Sequence, residues 1–329
     1  MTHSLRKPAS DFRIVFLGTP EFAVATLGTL LINGYNVVSV VTSPDKPAGR
    51  GRVMTKSTVK IFSESNCLPV LQPENLKDPE FTGKLKRLNA DIYIVVAFRM
   101  LPEVVWSLPP YGTINLHAAL LPQYRGPAPI NHAIINGEKK TGITTFLIND
   151  RIDMGNILLR EEVPIFTNDN AGDLHDRLMV RGARLVVRTL EGIADGSLKP
   201  RSQDEFMMPG EILKTAPKIF PEECLVNWDN PPMKIHNFIR GLAPYPCARS
   251  FFKSETGSVS YKIFESIPED AEHTLPPGYV LTDGRIFIKI ACRGGFIRIL
   301  SLQPESKKRM SSEEFIRGFR TSGFLNLIS

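Results

Sequence analysis

Long apolar runs are missing from this 329-residue chain. None reaches the roughly 18 consecutive apolar positions that a membrane-spanning helix requires. The opening stretch, MTHSLRKPASDFRIVFLG, has no apolar block followed by a small-residue cleavage site, so no secretory signal is expected. Cysteine is scarce as well. Cys67, Cys224, Cys247 and Cys292 are scattered without a Cys-x-x-Cys spacing, which argues against disulfide frameworks and metal knuckles. They read as ordinary thiols of a reducing cytoplasm. Three common catalytic signatures are also lacking. GTPEFA lacks the spaced glycines of a dinucleotide fingerprint. AGRGR lacks the Gly-Lys-Ser/Thr of a phosphate loop. No Gly-x-Ser-x-Gly occurs, so a hydrolase serine has no support. His132, His175 and His236 have no second ligand at metal spacing, and no metal is expected.

What remains is the composition of a globular protein long enough for two domains: 42% hydrophobic and 22% charged residues, with a net charge of +6. The basic excess is locally dense. KPAGRGRVMTKSTVK, Lys46 to Lys60, carries five cations and no acid. Pro47, Gly49 and Gly51 make it an irregular loop. It suits either a solvated surface or contacts to nucleic-acid phosphates. Glycines and like charges predict disorder when no nucleic acid is bound.

Along the chain, RIVFLG reads as a buried strand that turns into a helix. Thr19 is placed to cap that helix, Pro20 to occupy its first position, and Gly34 to stop it. YNVVSVV, LPVLQP, ADIYIVVAF and TINLH are further strands, and DPEFTGKLKRLN is a helix between them. Strand and helix alternate, which predicts a parallel sheet covered on both faces. TGITTFLINDRIDMGNILLREEVPI reads as two strands around a loop carrying Asp150, Asp153 and Gly155. A long helix is expected from about Ala171 to Ala194. The stretch after it has turn residues and no period, and reads as a linker. Short strand-like runs then dominate, punctuated by Gly, Pro and Asp, which predicts a small β-barrel or sandwich.

One segment carries chemistry. In INLHAALLPQYRGPAPINHAIING, Asn115 and His117 stand two apart where a strand ends. Period two puts both on one face. Open parallel sheets bind ligands beyond the carboxyl ends of their strands. A carboxamide beside an imidazole suits the oxyanion that forms in acyl transfer. Asp153 can reach the same edge, orient the histidine or accept a proton from an attacking amine. A purely structural histidine and a turn aspartate are the plainer alternative.

FLGTPEFA, SPDKPAGRGR, INLHAALLPQYRGPAPI, DRIDMGNIL, APKIFPEECLVNW and IHNFIRGLAPYP, taken in this order, resemble the methionyl-tRNA formyltransferase family. The resemblance spans nearly the whole chain. It implies an α/β fold, a doubly wound mostly parallel sheet followed by a small OB-like β-barrel. The expected bounds are a catalytic domain over 1–200 with a tRNA-contacting loop at 42–60, a linker at 201–217, and a tRNA-binding domain at 218–329. It implies transfer of a formyl group from 10-formyltetrahydrofolate, without metal, to the amino group of methionyl initiator tRNA at its acceptor stem. By the same resemblance Asn115, His117 and Asp153 are the catalytic residues. Ala119, Leu120, Leu121 and Pro122 match the folate-contacting segment, where Ala119 replaces the usual Ser. Phe98, Arg99, Met100 and Leu101 are expected to wall the pterin pocket, and Lys46, Arg50 and Arg52 to contact tRNA. A cytoplasmic monomer without membrane attachment is expected. Rival acceptors are sugar nucleotides or ribonucleotides, since the Asn-His-Asp set serves the donor. A rival class is an RNA-binding protein without activity.

Overall fold

The computed structural model describes residues 7–48, 53–254, 257–318 and 327–328. Its elements run β1 (Ile14–Gly18), α1 (Glu21–Ile32), β2 (Val37–Val41), β3 (Lys46–Ala48), β4 (Val53–Thr55), α2 (Thr58–Ser65), β5 (Val70–Leu71), α3 (Pro79–Arg87), β6 (Ile92–Val96), α4 (Glu103–Trp106), β7 (Thr113–His117) and α5 (Pro129–Ile135). There follow β8 (Lys140–Leu147), β9 (Ile157–Pro164), α6 (Ala171–Ala194), α7 (Pro232–Leu242), β10 (Ala248–Ser254), β11 (Gly257–Asp270), β12 (Val280–Thr282), β13 (Ile288–Cys292), β14 (Gly295–Pro304), β15 (Met310–Ser311), α8 (Ser312–Gly318) and β16 (Leu327–Ile328). Two compact units form. The first comprises residues 1–126, 141–163 and 175–215; the second comprises 127–140, 164–174 and 216–329.

The first unit is built on a sheet of order β5-β2-β1-β6-β7-β8-β9. The pairs β2–β5, β1–β2, β1–β6 and β6–β7 are parallel, and β7–β8 is antiparallel. β1 and β6 are buried at every position, as their unbroken apolar sequences require of central parallel strands. Val15, Leu17, Tyr93 and Val95 pack with Phe81 and Leu85 of α3. That helix is well specified: Asp78 accepts from the Glu80 N–H, Pro79 starts it, and Lys84, Lys86 and Arg87 sit in its last turn.

The chain winds outward from β1 to β2 and β5, then returns to place β6 on the other side of β1. The reversal opens a crevice at the carboxyl ends of β1 and β6. Gly18 closes β1 there. A Cβ on it would lie 2.6 Å from Cβ of Ala23 and 3.1 Å from the Val96 carbonyl oxygen, so the tight passage from β1 into α1 requires glycine. The capping expectation for α1 is corrected. Pro20 occupies the cap position and no side chain caps the helix. The Thr19 hydroxyl pairs with Ser43 Oγ at 3.0 Å instead.

In the second unit an antiparallel sheet runs β12-β13-β14-β11-β10-β16, with β15 beside β14. Its core gathers Trp228, Ile235, Ile239, Ile263, Ile290, Ile299 and Phe315. The Trp228 indole N–H donates to Ser250 Oγ at 3.2 Å, so burial leaves no polar atom of the indole unsatisfied. Segments 127–140 and 164–174 belong to this unit, although the sequence reading assigns them to the catalytic domain. The buried Arg240 guanidinium fastens the later segment by donating to the Asp169 carbonyl at 2.7 Å.

The aperiodic stretch after α6, read from sequence as a linker, is a strap on the first unit. Arg201 exchanges backbone hydrogen bonds with Ile157 at 2.8 and 2.9 Å, and the Tyr124 N–H donates to the Lys214 carbonyl at 2.7 Å. A 3-10 turn, Gln203–Phe206, lies within it.

Candidate active site

β7 ends at His117 with Asn115 on the same face. Asn115 pairs in register with Val95 of β6 and Phe146 of β8, which fixes its backbone on both sides. Its carboxamide is half-buried, and no hydrogen bond engages it among the described residues. It is thus free to donate to a ligand.

His117 is buried, at 6% exposure. Its Nε2 lies 2.9 Å from the Tyr124 carbonyl oxygen. A carbonyl only accepts, so Nε2 carries the proton and Nδ1 holds the lone pair of the neutral ring. Nδ1 lies 3.9 Å from Asp153 Oδ2, too far for a direct hydrogen bond. This spacing allows a third polar atom to approach both groups. Protonation at Nδ1 would place an imidazolium N–H toward the carboxylate.

Asp153 is held from two directions. Its Oδ2 accepts from the Gly126 N–H at 2.9 Å. Its own carbonyl accepts from Gln203 Nε2 at 2.8 Å. Both Tyr124 (φ +60°) and Asp153 (φ +53°) adopt left-handed backbone, which aims their polar groups at the histidine. Asn115 and His117 thus share a strand face, and Asp153 faces His117, as the sequence reading expects of their placement. That reading misses the Tyr124 carbonyl, the Gly126 N–H and Gln203. The first two are backbone groups with no residue signature; Gln203 lies 50 positions beyond Asp153.

Thr144 of β8 is a second omission. Its buried hydroxyl donates to the Ala119 carbonyl at 2.6 Å and accepts from the Leu121 N–H at 3.1 Å. These two backbone groups of the 119–122 segment are therefore already engaged. Leu121 is wholly buried with Phe146 and Ile157. Leu120 packs over Gly142, where a Cβ would overlap its side chain. Pro122 is buried too.

The structure spreads the Phe98–Leu101 quartet. Leu101 packs in the core, and half-buried Phe98 lies against the same cluster. Arg99 donates to the carbonyls of Pro73 and Glu74. Met100 is 70% exposed. Surface for a ligand is left at Phe98 and Met100.

Lys46 and Thr55 pair across an antiparallel two-stranded ribbon of β3 and β4. These flanks are paired strands, while the residues between them, 49–52, on which the expectation of disorder centres, lie outside the described residues. Arg50 and Arg52 lie outside the described residues. At the base of the ribbon Asp45 is tied to Lys60 at 2.6 Å and to Gln72 Nε2 at 2.8 Å. Lys60, then Gln72, holds the Asp45 carboxyl below the usual carboxylate range. Lys56 pairs with Glu64 at 2.7 Å. Of the three described cations from 46 to 60, Lys46 alone has no ion pair among the described residues.

The remaining histidines show local roles. His132 lies 3.0 Å from the Pro217 carbonyl, and His175 2.9 Å from Asp176. His236 meets Ser266 Oγ at 3.1 Å; burial, and next Arg240, push its pKa down to about 4. No group of three or more His, Cys, Asp or Glu able to hold a metal occurs among the described residues.

The sheet, its crevice and this polar edge belong to a chain that matches the formyl transferases along most of its length. Residues 12–190 match the formyl transferase family model, and residues 218–320 match the model of the formyl transferase C-terminal domain. The chain is 51% identical over 313 residues to the methionyl-tRNA formyltransferase of Bacteroides thetaiotaomicron, covering 95% of this chain and 97% of that protein. It is 49% identical to the same enzyme of Flavobacterium johnsoniae, over 94% of this chain and 97% of that one. The chain belongs to the methionyl-tRNA formyltransferase family. In fold it is similar to WlaRD, a sugar 3N-formyl transferase, with a TM-score of 0.61 at 20% identity over 90% of this chain and 99% of that one. It is also similar in fold to HypX from Aquifex aeolicus, with a TM-score of 0.62 at 20% identity over 95% of this chain and 48% of that one.

Proposed function

We propose that this chain transfers the formyl group of 10-formyltetrahydrofolate to the amino group of methionyl initiator tRNA, and that Asn115, His117 and Asp153 carry the reaction. The supporting observation is the His117 environment: Nε2 committed to a carbonyl, Nδ1 open toward Asp153, and an unengaged carboxamide on the same strand face. The amine lone pair attacks the formyl carbon, and the carbonyl electrons move to oxygen. Asn115 and the protonated Nδ1 of His117 donate to that oxyanion. Asp153 balances the imidazolium charge and takes the proton the amine releases, directly or through water. As the intermediate collapses, the bond from carbon to N10 breaks, its electrons go to N10, and N10 takes the proton that Asp153 had accepted from the amine, directly or through water. The chain needs neither a metal nor a covalent intermediate for this sequence.

The folate is proposed to lie along Ala119–Pro122 and beside Phe98 and Met100. Arg99 and Leu101 support that wall from behind. Lys46, Arg50 and Arg52 are proposed to meet the acceptor stem, and the 218–329 segment, as an OB-like domain, to hold the tRNA body. The chain is taken to act as a cytoplasmic monomer. No helix among the described residues is long and apolar enough to cross a membrane.

The test supplies methionyl initiator tRNA, free methionine or an amino-sugar nucleotide, each with and without 10-formyltetrahydrofolate. Formylation of the charged tRNA alone, dependent on the donor, is expected. Formylation of the sugar nucleotide instead would overturn the acceptor assignment. The 42–60 loop, hereafter the arm, gives a second expectation. Arg50→Ala raises KM for tRNA about 5- to 150-fold, and Lys46→Ala lowers the log–log salt dependence of tRNA binding by about one unit. KM for the folate stays unchanged in both. A shift in folate KM equal to that for tRNA would place the arm at the donor.

A further inference from the structure

Gln203 is nearly wholly buried, at 4% exposure, and its carboxamide spends every polar position on the two segments around His117. Nε2 donates to the carbonyls of Asp153 and Gly155 at 2.8 and 2.9 Å. Oε1 accepts from Arg125 Nε and Nη2 at 3.0 and 2.7 Å. Arg125 stands between Tyr124, whose carbonyl accepts from His117, and Gly126, whose N–H holds the Asp153 carboxylate. Gln203 therefore joins the turn that orients the histidine to the turn that presents the aspartate.

Both turns need such a brace. Tyr124 and Asp153 sit in left-handed backbone, a conformation that costs a non-glycine residue about 1 kcal/mol or more and persists only where surrounding contacts enforce it. The strap that carries Gln203 has its own anchorage. Arg201 is paired with Ile157 through backbone bonds. Ser202 and Glu205 form a capping box. Phe206 lies under the guanidinium groups of Arg160 at 4.7 Å and Arg201 at 4.4 Å, and packs against the cluster of Leu121, Phe146 and Ile157. The Gln203 side chain is thus not needed to seat the strap. It is positioned to set the geometry between His117 and Asp153.

We propose that Gln203 is a positioning residue for formyl transfer, bridging Arg125 to the Asp153 turn so that the carboxylate is held opposite His117 Nδ1. The inference rests on the reading of Asn115, His117 and Asp153 as the transfer site. Two substitutions separate its halves. Gln203→Glu keeps an acceptor for Arg125 but puts an oxygen against two carbonyls. Gln203→Met keeps the length and removes every hydrogen bond. Arg125→Lys shortens the fork to one donor and leaves the strap sequence intact.

The experiment measures kcat and both KM values for wild type, the three single variants and Gln203→Met combined with Arg125→Lys, with hydrogen exchange across residues 150–156. Both Gln203 variants are expected to lose about 10- to 100-fold in kcat, with KM for tRNA and folate within about twofold. Exchange at 150–156 speeds up, and the combination with Arg125→Lys loses little beyond Gln203→Met alone. Unchanged kcat and exchange in the folded variants would overturn the proposal. So would a kcat loss with fully additive effects and equally large changes in both KM values, which is the mark of general loosening. Should Gln203→Met not fold, Gln203→Glu and Arg125→Lys decide on the same criteria. A wild-type chain that transfers no formyl group sinks the functional reading instead, and the exchange data still decide whether Gln203 holds the turn.

Discussion

Replacement of His117 by Ala lowers kcat for formyl transfer by about 10²–10³-fold, the loss seen when one oxyanion donor is removed. Two effects combine. On the proposed mechanism, the donor opposite the developing oxyanion disappears. The Asp153 carboxylate, fixed by the Gly126 N–H, then faces that negative charge with no imidazolium between them. Binding of methionyl initiator tRNA should stay within about twofold, since uniform binding does not depend on a group that acts in the transition state. The substitution also removes the hydrogen bond between His117 and the Tyr124 carbonyl, a cost of about 0.5–1.5 kcal/mol. Circular dichroism and thermal unfolding must therefore accompany the kinetics. Direct titration of tRNA against the folded variant is the deciding measurement. A loss of affinity as large as the loss in kcat/KM would make His117 part of the tRNA platform and remove it from the chemistry.

The residues whose placement was readable from sequence are those whose signal is periodic. Period two along TINLH puts Asn115 and His117 on one face, and the strand does end there. The unbroken apolar runs at IVFLG and IYIVV mark strands buried on both sides, and both are central. The bounds of α6 agree with the apolar period over Ala171–Ala194. Illegible were the groups that act through backbone or across long separations. Nothing in Tyr124 or Gly126 as residue types announces that a carbonyl and an amide will grip a histidine and an aspartate. That follows from left-handed turns set by distant packing. The stretch around Gln203 reads as a linker because its turn residues lack a period, yet a strand-edge hydrogen-bond pair with Ile157 needs none. Segments 127–140 and 164–174 join the second unit although β8 and β9 stand between them in sequence. Contiguity in the chain is then a poor guide to which core a segment shares. Thr19 illustrates competition between partners: its hydroxyl can cap a helix or meet Ser43, and the local geometry selects Ser43.

Gly155→Ala is the substitution with the second-largest expected consequence, and it tests the Asp153 turn without touching a polar side chain. A Cβ at this position would overlap the Leu147 carbonyl oxygen, lying 2.8 Å from its carbon and 3.2 Å from the Phe146 ring. The obstruction is backbone of β8, which cannot swing aside like a flexible side chain. The turn itself must move. Accommodation of this kind costs about 1–3 kcal/mol. The same movement displaces the Gly155 carbonyl from Gln203 and, two residues earlier, Asp153 from its place opposite His117. A shift of about 1 Å in a positioned catalytic group costs about 100-fold in rate, so kcat should fall by that order while both KM values hold. Gly83→Ala is the matched control. Gly83 lies in α3, where the nearest atom to a new Cβ is the flexible Arg87 guanidinium at 3.6 Å. There the added methyl removes backbone entropy from the unfolded chain and should stabilise by about 0.5–1 kcal/mol with unchanged kinetics. Denaturant midpoints and steady-state rates on the two variants separate the effects. Wild-type kcat in a destabilised Gly155→Ala chain would mean that the Asp153 turn tolerates displacement, and that the 3.9 Å spacing to His117 is not what the reaction depends on.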